Sequence, residues 1–244
     1  MQLLFQPAYL AIFLLFFLIG LTIHFLIRVF FKKLKILDKP DGKKKKHKDD
    51  IPISGGFSFI FSLVLFIILW IILSRNEFLL DLFEIDKILL ASPNIDIRTS
   101  ILIFLTGLVV AGVSLFDDIL ELPIWFRFMT LIFCCTTVIL LGDINLTGFG
   151  DLLGFGEITF NPIIGILITI FCIVGISNAF NWIDGLDGLF SIQTLIAATS
   201  IFFFMGVNGL FFIFFVIAFM PYLMMNLGFF GEKTKVFIGD HGAM

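Results

Sequence analysis

The sequence predicts an all-α, polytopic transmembrane helical bundle, and three observations carry that prediction. Hydrophobic residues fill 59% of the 244 positions and charged residues only 14%, against roughly 45–50% and about 25% in soluble domains; mean hydropathy is +1.11. The apolar residues form nearly continuous runs, not the alternation that a β-barrel requires. Ten of the sixteen basic residues crowd into one segment, Arg28–Ile51, as expected of a loop retained on the cytoplasmic side. A soluble globular enzyme, a disordered chain, a collagen-like fibre and a disulfide scaffold are thereby excluded.

A span needs about 20 apolar residues, and seven runs are of that kind: Ala8–Ile27, Phe57–Leu73, Ile101–Phe116, Ile124–Leu141, Pro162–Phe180, Leu189–Val207 and Gly209–Met225. The first is too long for a signal-peptide core and lacks a small-residue cleavage pattern. Pro162 suits a first helical position, where its missing N–H is not needed. Pro221 is expected to kink the last span. With the basic segment inside, the N-terminus lies outside and the C-terminal tail inside. The outer segment Ser74–Ser100 then carries five acids and three bases. Arg127, Lys233 and Lys235 fall at inner ends, so thirteen of the sixteen basic residues are inside.

Charges at membrane depth are expensive and usually functional. Asp117, Asp118, Asp184, Asp187 and Asp240 all fall at the predicted cytoplasmic face. A transporter would place such groups near mid-membrane. Asn178, Asn181, Asp184 and Asp187 recur every third residue and make one polar stripe if helical, with a break expected at Gly185. Gly239-Asp240-His241-Gly242 reads as a tight turn bearing an acid. Carboxylates and amides without thiolates suit a hard cation such as Mg²⁺, with Mn²⁺ as an alternative. A basic inner surface beside them suits a polyanionic substrate or anionic headgroups. Phosphoryl transfer at the membrane surface is the reaction class these residues favour.

Other features carry no chemistry. Cys134, Cys135 and Cys172 sit in apolar runs without metal-ligand spacing. Gly148-Phe-Gly150 and Gly154 imitate a dinucleotide fingerprint at the wrong spacing and in an outer loop. Asn145-Leu-Thr147 is a glycosylation sequon only in a secretory pathway. His24 reads as a helix–helix contact, and Lys43–Lys46 as a positive-inside signal, so no nucleic-acid binding is expected.

The polar motifs resemble those of the polyprenyl-phosphate N-acetylhexosamine-1-phosphate transferases (glycosyltransferase family 4, WecA/MraY type). Asp38-Lys-Pro-Asp-Gly-Lys with His47 and Ile51-Pro-Ile-Ser-Gly55-Gly56 resembles the family's first cytoplasmic loop, and Asp117-Asp118 its aspartate pair. Asn178-Ala-Phe-Asn181-Trp-Ile-Asp184-Gly-Leu-Asp187-Gly188 resembles its most specific motif. Lys235-Val-Phe237-Ile-Gly239-Asp240 resembles its metal-binding segment, with His241 and Ala243 departing from the usual small residue and Ser. The form of the first and last motifs is closer to the enzymes using UDP-N-acetylglucosamine than to those using UDP-N-acetylmuramoyl-pentapeptide.

The resemblance implies that polyprenyl phosphate attacks a UDP-sugar, giving polyprenyl-diphosphate-sugar and UMP and starting a lipid-linked envelope glycan such as O-antigen or teichoic acid. It implies a bacterial plasma membrane with the active site facing the cytoplasm. Asp117 would activate the lipid phosphate beside Asp118. Asp240 would bind Mg²⁺, with Asn181 a second ligand. Phe237 would stack on uracil and Asp187 hydrogen-bond the uridine. Asn178 and Asp184 would line the diphosphate site, with Arg127 and His47 as further substrate contacts. An alternative scheme makes one aspartate a covalent nucleophile. The resemblance also implies further spans and a histidine-containing loop after Met244. Residues 1–244 are therefore expected to be the N-terminal portion of a single, longer transferase domain, inactive alone. The competing readings are the muramoyl-pentapeptide enzyme, a transporter with an acidic cation site, and a non-catalytic fragment that only binds.

Overall fold

The computed structural model describes residues 7–40, 49–76, 97–120, 122–151, 154, 156–205 and 210–243. Among the described residues seven long helices follow the apolar runs: α1 (Pro7–Leu34), α2 (Gly55–Arg75), α3 (Ile97–Leu120), α4 (Ile124–Gly142), α5 (Pro162–Ile183), α6 (Leu189–Met205) and α7 (Leu210–Asn226). Two ribbons, β1 (Leu37–Asp38) with β2 (Ile51–Pro52) and β3 (Gly148–Gly150) with β4 (Ile158–Thr159), lie in the connections, and a short helix α8 (Asp240–Ala243) follows α7. The chain is thus an all-α, polytopic membrane protein. Among the described residues α1 to α5 contain five segments long and apolar enough to cross a bilayer. The expected sixth and seventh spans are helices of 17 residues each, which at 1.5 Å per residue reach about 25 Å. Val207 and Gly209, where those runs were expected to meet, lie outside the described residues.

The chain forms two compact units, Met1–Pro93 with Asp184–Gly242, and Asn94–Ile183 with Ala243–Met244. In the first, α1, α2 and α7 pack against one another and α6 packs on α7. Lipid tails are as apolar as Leu, so helix association in a membrane relies on close packing and small residues more than on water exclusion. Both devices are present. Phe16 of α1 stacks on Phe66 of α2 at 5.0 Å, and Phe59 meets Phe215 and Phe219 of α7 edge-on at 4.9 and 5.2 Å. Gly20 lets the Phe66 ring approach, since a Cβ there would lie 3.1 Å from it. His24 is buried in α1, as its reading as a helix contact required, and its Nδ1 donates to the Gly20 carbonyl at 2.9 Å.

α1 ends in a Schellman-type cap. Lys35 takes the left-handed conformation (φ 59°) while the N–H of Ile36 donates to the Phe31 carbonyl, satisfying an orphan helix carbonyl. Lys32 and Lys33 in the last turn complement the helix dipole. The chain then enters the β1–β2 ribbon, which pairs Leu37 with Pro52 and Asp38 with Ile51.

In the second unit α4 packs against α3 and α5. Pro162 is the first residue of α5, and the Asn161 side-chain oxygen accepts from the Ile163 N–H at 3.1 Å. The α4–α5 connection is pinned by Thr169, whose Oγ1 accepts from the Leu146 N–H at 2.8 Å and donates to the Gly165 carbonyl at 2.7 Å. Thr169→Val strands the Leu146 N–H and is expected to lower stability by about 1–3 kcal/mol, readable by thermal denaturation in detergent. Gly148–Gly150, the fingerprint-like run, is itself strand β3. Gly148 is glycine because a Cβ would sit 2.3 Å from the Ile158 carbonyl oxygen of β4.

Candidate active site

In the first unit the site is built on the start of α2. The first N–H groups of a helix lack partners within it. Here the Gly55 and Gly56 N–H groups donate to the carbonyls of Phe237 and Ile238 at 2.9 Å each, and the Phe237 N–H donates to the Pro52 carbonyl at 3.0 Å. The segment Lys235–Gly239 is thereby docked as an extended strand along Pro52–Gly56. Side chains of an extended chain alternate between faces. Val236 and Ile238 are fully buried, while Lys235 and Phe237 occupy the other, half-exposed face.

Both glycines of the Ile51–Gly56 motif are required sterically. A Cβ on Gly55 would fall 2.5 Å from the Tyr222 ring, and one on Gly56 would fall 2.4 Å from Gly242 Cα. Gly239 turns the chain with φ 76°, and Asp240 opens α8. The Gly242 N–H returns to the Gly239 carbonyl at 3.1 Å, which makes the tight acid-bearing turn that the sequence suggested. His241, a departure from the family pattern, is buried and lies over the Phe31 ring with 6.4 Å between centroids.

The expected stripe of Asn178, Asn181, Asp184 and Asp187 is divided. α5 stops at Ile183, so the two amides belong to its last turns and the two carboxylates to the turn Asp184–Gly188. The break thus comes just before Gly185. Gly188 has φ 76°, and its N–H donates to Asn226 Oδ1 at 2.8 Å. Asn226 is 3% exposed, and its Nδ2 donates to the Val236 carbonyl at 3.1 Å. Lys235 Nζ pairs with Asp187 Oδ2 at 2.5 Å. The Tyr222 phenol is buried beside Ser191 and the Ile238 backbone, within electrostatic reach of Asp184 and Asp187. The guanidinium of Arg28 donates to the Lys233 carbonyl.

In the second unit Asp117 and Asp118 occupy the last turns of α3, where an acid opposes the helix dipole. Asp117 is compensated by Arg127 of α4, with NH1 2.8 Å from Oδ2. The side chains are 10% and 18% exposed respectively, so the pair is well shielded. Asn178 donates back to the Val174 carbonyl at 2.8 Å. Its remaining surface lines an open, otherwise hydrocarbon-walled groove of about 370 Å³ between α4 and α5, with Phe128, Ile132, Leu167, Ile170, Phe171, Val174 and Gly175.

Of the expected site residues, the structure joins Asp117 to Arg127. It ties the Asp184–Gly188 turn to the Lys235–Asp240 segment. His47 lies outside the described residues. Among the described residues no three of His, Cys, Asp and Glu group closely enough to hold a metal ion. The carboxylate of Asp240, in the first unit, is a hard oxygen donor that suits Mg²⁺, an ion that binds through one or two protein carboxylates and keeps its other positions for water and phosphate; Asn181 belongs to the second unit. Sequence reasoning missed Asn226 and Tyr222. Asn226 is the first amide after the apolar run Phe212–Met225, and that isolation was its one signal.

The sequence model described as Glycosyl transferase family 4 matches residues 100–244. Three similar relatives are each named undecaprenyl-phosphate alpha-N-acetylglucosaminyl 1-phosphate transferase. That of Escherichia coli (strain K12) is 28% identical over 225 residues, 90% of this chain and 54% of that protein. That of Yersinia pestis is 26% identical over 234 residues, 93% and 57%. That of Haemophilus influenzae is 29% identical over 215 residues, 85% and 53%. The chain spans about half the length of the curated relatives it matches.

Proposed function

The chain belongs to glycosyl transferase family 4, and from that premise we propose that its parent enzyme transfers N-acetylglucosamine-1-phosphate from UDP-N-acetylglucosamine to undecaprenyl phosphate. One observation supports this above the others. The turn of the Asn178–Gly188 motif and the Lys235–Asp240 segment are 48 residues apart at their ion pair, yet one buried amide and one charge pair bind them together. A transporter's cation site does not call for that arrangement. A nucleotide platform with an aromatic ring, a carboxylate acceptor and a cation ligand does.

In the reaction an oxygen of the lipid phosphate bonds to the β-phosphorus of the UDP-sugar. The bond from that phosphorus to the bridging oxygen breaks, and UMP leaves. Asp117, aligned by the Arg127 guanidinium, accepts from or orients the lipid phosphate. Arg127 offers its charge to the same phosphate, the kind of preset electrostatic contact that dominates phosphoryl transfer. Phe237 stacks on the uracil, Asp187 accepts a hydrogen bond from the uridine, and Asp184 lines the diphosphate site, a role that the resemblance assigns to Asn178 as well. Asp118 and His47 keep the supporting roles that the resemblance assigns them. Asp240 would hold the Mg²⁺, and Asn181 keeps the ligand role that the resemblance assigns it. When bound, the ion neutralises charge on the diphosphate and on the departing UMP.

The test uses membranes carrying the intact gene product. UMP release is expected to require both undecaprenyl phosphate and UDP-N-acetylglucosamine, to stop with EDTA and to return with Mg²⁺. Preference for UDP-N-acetylmuramoyl-pentapeptide, or release without the lipid phosphate, would overturn the proposal.

A further inference from the structure

We infer that Asn226 and Lys235 are positioning residues: a two-point clamp that presets Asp187 and Phe237 as one rigid platform for a uridine nucleotide. The inference rests on the UDP-sugar reading above and assigns within it two residues that do no chemistry themselves.

The clamp has a backbone tie and a charge tie. Asn226 spends both halves of its amide on main-chain groups of different segments, accepting from Gly188 N–H and donating to the Val236 carbonyl. At 3% exposure, water has little room to replace either bond, and a buried amide left half-satisfied is costly. Gly188 is held so close to the end of α7 that a Cβ would lie 2.6 Å from Leu227. The turn therefore sits against the end of α7, held there by the bond from Gly188 to Asn226.

The charge tie is asymmetric. The Lys235 side chain is 14% exposed and that of Asp187 is 47% exposed. The ammonium backs the carboxylate from the protein side, takes Oδ2, and leaves nearly half the Asp187 side chain open. Exposed ion pairs contribute little because both chains are free and solvated. Here one partner is largely withdrawn from water and anchored in a docked strand. Alternation along that strand puts Lys235 and Phe237 on the same face. Fixing Lys235 against Asp187 thus fixes the face that bears the aromatic ring. Recognition of a flat heterocycle by one ring and one acceptor needs placement within roughly 0.5 Å, which two separate loops would not give without a cross-tie. A salt-bridged carboxylate can only accept, so it suits the N3–H of uracil and not the bare N3 of cytosine.

The test is steady-state kinetics on the intact gene product in detergent with undecaprenyl phosphate, plus inhibition by UMP and CMP. Lys235→Met is expected to raise KM for the UDP-sugar about tenfold while kcat changes less than about threefold, as when an interaction made equally in the ground and transition states is removed. Lys235→Arg should restore most of the affinity. Lys235→Met should add little to Asp187→Asn in the double variant, and both single changes should narrow the preference for UMP over CMP. Asn226→Ala should raise KM in the same direction and lower Tm. An unchanged KM and UMP/CMP ratio in Lys235→Met, or fully additive losses in the double variant, would overturn the clamp while leaving the transferase reading intact. Absence of UMP release by the unaltered protein would instead overturn the transferase reading, and the clamp with it.

Discussion

In the intact gene product, Asp117→Asn is expected to lower kcat for the proposed UMP release by about a thousandfold, in the range that removal of a positioned proton acceptor typically produces. Asn keeps the size of Asp and its place in the last turns of α3 but lacks the charge. Two consequences follow from the 2.8 Å pair with Arg127. The proposed acceptor for the lipid phosphate is lost. The guanidinium also loses its partner in a shielded setting, since the Arg127 side chain is only 18% exposed, and stability should fall as well, as it does when one half of a shielded pair is removed. Initial-rate kinetics and thermal denaturation separate the two effects. KM for the UDP-sugar should change little, because the proposed uridine contacts reside on other residues. An Asp117→Asn protein retaining a tenth or more of the original kcat would remove Asp117 from the chemistry.

Gly56→Ala is expected to be nearly as damaging, for a steric reason. The added methyl would lie 2.4 Å from Gly242 Cα, 2.6 Å from Gly242 N and 2.9 Å from the His241 ring. Two of these are backbone atoms and cannot rotate away, so the Gly239–Gly242 turn must shift and carry Asp240 with it. Overpacking of this kind costs about 1–3 kcal/mol. A displacement of about 1 Å at a catalytic ligand commonly removes about a hundredfold in rate. Turnover at saturating Mg²⁺, together with Tm in detergent, measures both. Gly107→Ala in α3 is the control, because a Cβ there meets nothing within 4 Å, and Ala in a helix is if anything favourable. Equal losses in the two variants would show that the methyl–backbone clash is not the cause.

The helices were legible because apolar run length and composition determine them almost without context. Pro162 marked the start of α5 correctly. The end of α3 was less legible. The apolar run stops at Phe116, but the helix continues to Leu120, because Arg127 supplies from α4 the compensation that Asp117 lacks locally. Likewise Asp184 was expected on a helical stripe, and the chain leaves the helix one residue earlier.

The site's residue types could be read from sequence, and its wiring could not. The motif Ile51–Gly56 was visible as a motif. Its physical content is a set of backbone bonds to Phe237 and Ile238 and a glycine-on-glycine contact with Gly242, which leave no periodic trace in either segment. Asn226 was passed over because a single amide after an apolar run reads as the end of a helix. Its two bonds reach 38 and 10 positions along the chain, beyond any local pattern.

The docking of Lys235–Gly239 along Pro52–Gly56 also fixes an order of assembly. Arg28 and Lys233, which meet at this same seam, are 205 positions apart. Contacts so distant in sequence must wait until the intervening chain exists, and synthesis proceeds at about 5–20 residues per second. The N–H groups of Gly55 and Gly56 thus emerge well before the carbonyls that will receive them. During that interval the start of α2 is an open helix end, accessible to water, headgroups or an insertion chaperone. Membrane-inserted chains released from the ribosome and truncated before Lys235 should therefore be more sensitive to protease near Ser54 than chains that include Gly242, although that stretch of sequence is the same in both.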